Sequence, residues 1–247
     1  MFDTWDEKRF LLKQLVKRDF TNKYKESVLG IIWSFLNPLC IMIIFTVIFS
    51  VLFRQQINGR LIYDFFVAAT SGAMQSIRRN RSILTKIFVP RYMFAVSSIC
   101  YEFINFLISL VILFGVMFVT GQEFHLMILA SIIPMIFVVI MIVGVGLILA
   151  VLNTYFSDVG HFYTIFTIIL MYASALFYPM EIVPADIQII FTSNPLYIAI
   201  TCLRDTMMYN VFPEISSLLY LAIFSIMLFG VGFLLFRIHE KKLVLRL

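Results

Sequence analysis

The amino-acid sequence predicts an all-α membrane protein of six transmembrane helices, preceded by an amphipathic helix lying along the membrane surface. Three observations carry this reading. Of the 247 residues, 62% are hydrophobic and 13% charged, against roughly 45–50% apolar in an ordinary soluble domain, and the mean hydropathy is +0.98. The apolar residues fall in runs near the roughly 20 that a helix needs to cross a bilayer. The Lys and Arg residues fall in clumps between those runs. This composition excludes a water-soluble fold, a disordered chain and a coiled coil. It leaves no room for a folded domain outside the membrane, so any soluble activity must come from a partner.

Residues 1–27 are charged and mixed, too long and too polar for the start of a cleavable signal, and the first apolar run is therefore expected to stay as an anchor. Within them, 6–24 show helical spacing. Leu12, Val16, Phe20 and Tyr24 stand four apart, with Leu11 and Leu15 beside them and Arg9, Lys13 and Lys17 on the adjacent stripe. The expected element is an interfacial helix, its apolar face at the headgroup boundary and its basic face toward anionic membrane lipid or an acidic partner.

The first run, 28–53, has 26 residues, about 39 Å as a helix, enough to cross with tilt. The second, 61–77, has 17 residues and contains Asp64, which makes it the shortest span at about 25 Å. The others are 94–119, 126–152, 161–183 and 214–236. Between the last two, the apolar stretch 184–213 is broken by Pro184, Pro195 and Pro213 and by Asp186, Asn194, Arg204 and Asp205, which argues against a clean crossing.

Orientation follows from Lys and Arg. Seven of the 19 lie in 1–27, five in 78–92 and four after Phe236, while Arg54, Arg60 and Arg204 fall in segments that six crossings place on the other side. Both termini and the 78–92 loop are thus expected in the cytoplasm, with 153–160 beside them by parity. In the 78–92 loop, Ile83, Leu84, Ile87 and Phe88 share a face on a segment carrying Arg79, Arg81 and Lys86, and Pro90 ends it. Such a face packs on the membrane surface or lies in a groove on another protein, and composition leaves both open.

No phosphate-cradling G-x-x-x-x-G-K-S/T, no HExxH and no GxSxG occurs. The chain is therefore expected to be non-catalytic, with no metal site. His125, His161 and His239 sit near predicted boundaries, and Cys40, Cys100 and Cys202 read as small buried hydrophobes. The in-span carboxylates are Asp64 and Glu102, the latter about two turns into its span. At mid-membrane a carboxylate costs about 2.5–3.5 kcal/mol, so each should face protein or water. Glu102 either helps a substrate pass or pairs with a neighbouring subunit, or it snorkels toward the basic loop.

The run from Arg18-Asp19-Phe20 through Tyr24-Lys25-Glu26-Ser27-Val28-Leu29-Gly30 to Trp33-Ser34-Phe35-Leu36-Asn37-Pro38-Leu39 resembles the N-terminal signature of the membrane subunits of ABC-type exporters of O-antigen, teichoic acid and capsule polysaccharide. Asn80, Leu84, Lys86, Ile87, Pro90 and Arg91 resemble that family's cytoplasmic loop, and Phe177-Tyr178-Pro179, Val183-Pro184 and Asn194-Pro195-Leu196 its segment before the last span. The resemblance implies a permease domain over 28–247 that pairs with a second copy and docks a separate ATPase, which binds ATP and Mg. It also implies a coupling helix at 79–89, with Arg81, Ile83, Leu84, Lys86, Ile87 and Phe88 as contacts, and re-entrant helices on the outer side. The implied place is a bacterial or archaeal cytoplasmic membrane. The implied substrate is a lipid-linked glycan, whose sugar rings would meet aromatic faces, with Trp33, Phe35, Tyr172, Phe177 and Tyr178 as candidate lining.

Two features depart from the family's pattern. Ser157 stands before Asp158 where the family usually has Arg, and only 54–60 separate the first span from Tyr63-Asp64-Phe65-Phe66. A drug or lipid exporter of the same architecture, or an ion-coupled carrier, are the alternative functions. Against the carrier stand the few in-span ionisable groups and the single set of broken helices where inverted repeats need two.

Overall fold

The computed structural model describes residues 5–24, 32, 35–36, 38–41, 57–84, 89–119 and 124–243. Among them the long elements are all helices: α1 (Trp5–Tyr24), α2 (Ile57–Arg79), α3 (Arg81–Leu84), α4 (Tyr92–Val119), α5 (Ile132–Tyr155), α6 (Val159–Ala173), α7 (Ala185–Thr192), α8 (Pro195–Met207) and α9 (Ile215–Leu243), with 3₁₀ turns at Leu126–Ser131 and Met180–Ile182. Most of the predicted first span, 28–53, lies outside the described residues.

Among the described residues, three helices are long and apolar enough to cross a membrane: Tyr92–Val119, Leu126–Tyr155 and Ile215–Glu240. A fourth candidate is the pair α7 and α8, bent by 86° at the break between them. Proline and asparagine build that break. Pro195 starts α8, where its missing N–H costs nothing, and the Asn194 side chain caps the helix by accepting from the Leu196 N–H at 3.0 Å.

Helix α2 has 23 residues, about 35 Å, longer than the predicted 61–77. Its extra turn begins at Ile57 and carries Arg60, a residue that hydropathy had placed in a loop. It is the centre of the bundle, packed against both α4 and α5, with Ala69, Thr70, Ala73, Ser76 and Ile77 fully buried. Small residues set the spacing there. A Cβ at Gly72 would lie 2.7 Å from Ser98 Oγ on α4, and one at Gly146 of α5 would lie 2.9 Å from Ala73 Cβ. The closest approach of all is between α5 and α9, where a Cβ at Gly144 would stand 2.5 Å from the backbone of Leu228 and Phe229. Van der Waals contact of this kind is what associates helices when lipid is as apolar as the side chains.

The predicted span 161–183 is helical only to Ala173. Fifteen residues give about 22 Å, less than the roughly 30 Å of a hydrocarbon core. The chain leaves the helix because Ala175 takes a left-handed conformation, φ 45°.

Candidate functional site

The helices alternate in direction, and their ends gather the chemistry into two layers. At one end, Arg79 reaches Asp19 of α1 at 3.8 Å and Arg18 holds the same carboxylate at 2.8 Å. Arg78 donates to Ser157 Oγ at 3.1 Å. Arg91, just before α4, donates to the Glu240 carbonyl near the end of α9, and Tyr155 meets His239 edge to face at 5.4 Å. The end of α2, the α5–α6 turn, the start of α4 and the end of α9 are therefore one layer, and it is the layer rich in Lys and Arg. Ser157, which stands where the resembling family has Arg, is served by Arg78 from the neighbouring helix.

Two expectations about this layer change. The amphipathic α1 packs on α4, with Leu15 at 6% exposure and Leu11 and Leu12 half-buried against the core. Its buried line is centred on Leu15, with Leu11, Leu12 and Val16 half-buried around it, and Asp19 one turn further along meets Arg79. Phe20 and Tyr24 belong to the helix, with side chains outside the described set. In the basic loop, the regular helix is α3 alone. Leu84 is 7% exposed and Ile83 packs half-buried against the same core, so neither forms the uncovered greasy face that spacing suggested. The Asn80 side chain donates to the Ser76 carbonyl at 2.7 Å and its own carbonyl receives the Ile83 and Leu84 N–H groups, which turns those two side chains inward. Arg81 and Ser82 are the exposed positions. Lys86, Ile87 and Phe88 lie outside the described residues.

The opposite layer is built where α2 begins and α6 ends. A ladder of polar contacts joins the two antiparallel helices. Arg60 reaches Met171 Sδ at 3.7 Å, Tyr63 donates to the Thr167 carbonyl at 2.7 Å, and the Thr70 and Tyr163 hydroxyls pair. Asp64 is ion-paired at 2.9 Å with Arg60, one turn earlier on the same helix, while its side chain stays 43% exposed. Arg60 also lies over the rings of Tyr63 and Phe177, at 5.8 and 6.0 Å. Glu102 accepts from Asn105 Nδ2 on its own helix at 3.1 Å.

Of the candidate lining aromatics, Tyr172 is 55% exposed and Phe35 is also exposed, whereas Trp33 lies outside the described residues. Phe177 and Tyr178 are not free. Phe177 packs half-buried against the core beneath Arg60. The Tyr178 hydroxyl donates to the Tyr172 carbonyl at 2.6 Å, and its ring meets Phe191 edge to face. Both therefore help to shape the connection after α6. On α6 itself, Phe162, Ile165, Phe166, Ile169 and Tyr172 stand out from the chain, Phe162 at 71%.

Residues that spacing rules passed over hold this layer together. Asn194 donates to the Ala173 carbonyl and to Ser174 Oγ, each at 3.1 Å, and Arg204 donates to the Ala175 carbonyl at 3.3 Å. Their signal in the sequence was chemical: polar side chains in a stretch otherwise apolar must find partners. Cys202 is buried as expected, but Cys40 is exposed on this chain. No cluster of metal-ligating side chains occurs among the described residues.

A family model described as ABC-2 type transporter matches residues 11–208. An O-antigen export system permease protein, RfbA, from Klebsiella pneumoniae is 28% identical over 233 residues, covering 90% of each chain. An RfbA from Myxococcus xanthus is 25% identical over 95% of this chain and 94% of its own. The polysialic acid transport protein KpsM of Escherichia coli is 20% identical over 97% of both.

Proposed function

The chain belongs to the ABC-2 type transporter family, and on that premise we propose that it is the membrane subunit of an ATP-driven exporter. Its cargo is a lipid-linked polysaccharide of the O-antigen, teichoic acid or capsule kind, moved from the cytoplasmic to the outer side. The observation that carries this reading is the likeness along nearly the whole chain to proteins named for O-antigen export and polysialic acid transport. Residues 28–247 form one six-span permease domain in a bacterial or archaeal cytoplasmic membrane, and 1–27 form its interfacial segment. Both termini are cytoplasmic, which agrees with the gathering of the basic residues into one layer.

The chain has no phosphate-binding loop, so ATP and Mg belong to a separate ATPase beneath the basic layer. Arg81 and Ser82 face outward there, and 79–89 is the segment the ATPase would hold. Because Leu84 is anchored in the core and its helix packs on α2, a push on this segment would pass to α2. A second copy completes the conduit, and the apolar outward face of α6 suits such a neighbour. Deleting the gene tests the function: surface glycan should disappear while the lipid-linked polymer accumulates inside the cell. Unchanged surface glycan would overturn the reading, and loss of drug or phospholipid export instead would move it to the alternative cargo. Photocrosslinking from position 81 should capture an ATPase, and its absence would remove the coupling assignment.

A further inference from the structure

The connection after α6 is held in a conformation its sequence does not favour. Ala175 is 1% exposed and left-handed, a backbone state that an L-alanine adopts roughly tenfold less readily than the right-handed one. Such a residue persists only where its surroundings over-determine it. Here they do so through one neighbour, the bent pair α7 and α8. Asn194, at the bend, grips the Ala173 carbonyl and the Ser174 hydroxyl, and Arg204, nearly three turns further along α8, grips the Ala175 carbonyl. Arg204 also presses on the start of α2, its guanidinium 3.0 Å from where a Cβ on Gly59 would stand. The grip is incomplete, because Arg204 Nε is shut from solvent and has no acceptor among the described residues.

We propose that residues 174–178 are a latch with two states, and that Asn194 and Arg204 are the positioning residues that keep it shut. In the shut state the chain turns at Ala175, and Phe177 lies under Arg60. In the released state α6 continues by one turn. Pro179 keeps Tyr178 out of the helix, so the extension ends at Phe177. Helix 159–177 then measures about 28 Å, close to the hydrocarbon thickness that α6 alone fails to span. Extension winds Phe177 around the helix and away from Arg60, and it draws the Tyr178 hydroxyl off the Tyr172 carbonyl. The movement would open this end of the molecule whenever α7 and α8 swing from α6. Assigning that end to the mouth of a glycan conduit rests on the function proposed above, but the latch itself does not.

The test uses the full chain, in its native membrane with its partners, after Cys40, Cys100 and Cys202 are replaced by alanine and a single reporter Leu176→Cys is introduced. Leu176 is 1% exposed in the shut state, so labelling by a maleimide in permeabilised membranes, where the probe reaches either end of the molecule, should be slow. Arg204→Gln should raise the labelling rate about tenfold. Asn194→Ser, which still caps α8 but no longer reaches Ala173, should do likewise. Ala175→Gly removes the left-handed penalty, and it should return either variant to the slow rate and slow the parent further. A parent rate that Ala175→Gly leaves unchanged or raises overturns the latch, even if the other variants fail to accumulate. So does an accelerated rate in Arg204→Gln that the glycine does not reverse. Surface glycan that survives gene deletion would sink the functional reading while leaving these rates fully interpretable.

Discussion

At the scale of single residues, the buried polar groups decide which helix faces meet. Asn153 of α5 is almost fully buried, and its Nδ2 donates to the Met74 carbonyl of α2 at 3.0 Å. Aspartate has the same shape but, when ionised, only acceptors, so it would set a charge against a carbonyl. Asn153→Asp should cost about 3 kcal/mol, in the range for an unpaired carboxylate in a span. Asn153→Ala should cost about 1 kcal/mol, near the upper part of the range for interhelical hydrogen bonds. Thermal midpoints of the detergent-solubilised chain check the order, and an aspartate variant as stable as the alanine one would refute it. The sequence made Asp64 visible as a polar group in need of a partner. It did not reveal that the partner is Arg60 one turn away, because hydropathy ended the apolar run at Leu61 and left Arg60 in a loop. Pairing removes the cost that the hydropathy rule charges, so the helix runs on through both.

At the scale of elements, glycine contacts set the packing of α5 on α9. A methyl group at Gly144 would meet the Leu228 and Phe229 backbone at 2.5 Å, and main chain cannot step aside as a flexible side chain can. Gly144→Ala should therefore separate the two helices and lower the thermal midpoint strongly, by the 1–3 kcal/mol usual for overpacking or more. Gly230→Ala and Gly115→Ala meet nothing within 4 Å and should be neutral or slightly stabilising, since alanine is the better helix former by about 1 kcal/mol. Equal effects at Gly144 and Gly230 would show that the close approach does not govern the pair. Docking of α1 is a second element-scale case. Leu15→Ala removes a buried anchor of that helix and should cost about 2–3 kcal/mol, read as faster proteolysis between α1 and the rest. Apolar periodicity located α1, α4, α5 and α9 well, since length and hydropathy coincide there. It misjudged α6, whose apolar sequence continues past Ala173 while its backbone does not. The grips of Asn194 and Arg204 end that helix, and these come from residues about 20 and 30 positions away, beyond any local window.

At the scale of the whole molecule, the direction of the chain is what the charges encode. The clumps at 1–27, 78–92 and the C-terminal tail lie far apart in sequence, yet the structure gathers residues from them into one layer through Arg79 with Asp19 and Arg91 with the Glu240 carbonyl. The bundle thus has one basic end and one end where the two described arginines, Arg60 and Arg204, are engaged in internal contacts. Cytoplasmic loops carry the excess of Lys and Arg, so the orientation proposed above puts the basic layer on the cytoplasmic side. Two positions distinguish the ends cleanly. Ser157 is exposed in the α5–α6 turn beside Arg78, and Asn210 is exposed in the turn before α9 with φ 54°. In a chain without its native cysteines, Asn210→Cys should be labelled by an impermeant maleimide in intact cells. Ser157→Cys should be labelled only after the membrane is permeabilised. Labelling of position 157 from outside would invert the molecule, place the latch at the cytoplasmic end and put the basic segment out of reach of any ATPase. Engagement of 79–89 by such a partner requires the opposite result at both positions, so this one pair of cysteines tests the physical premise on which outward transport depends.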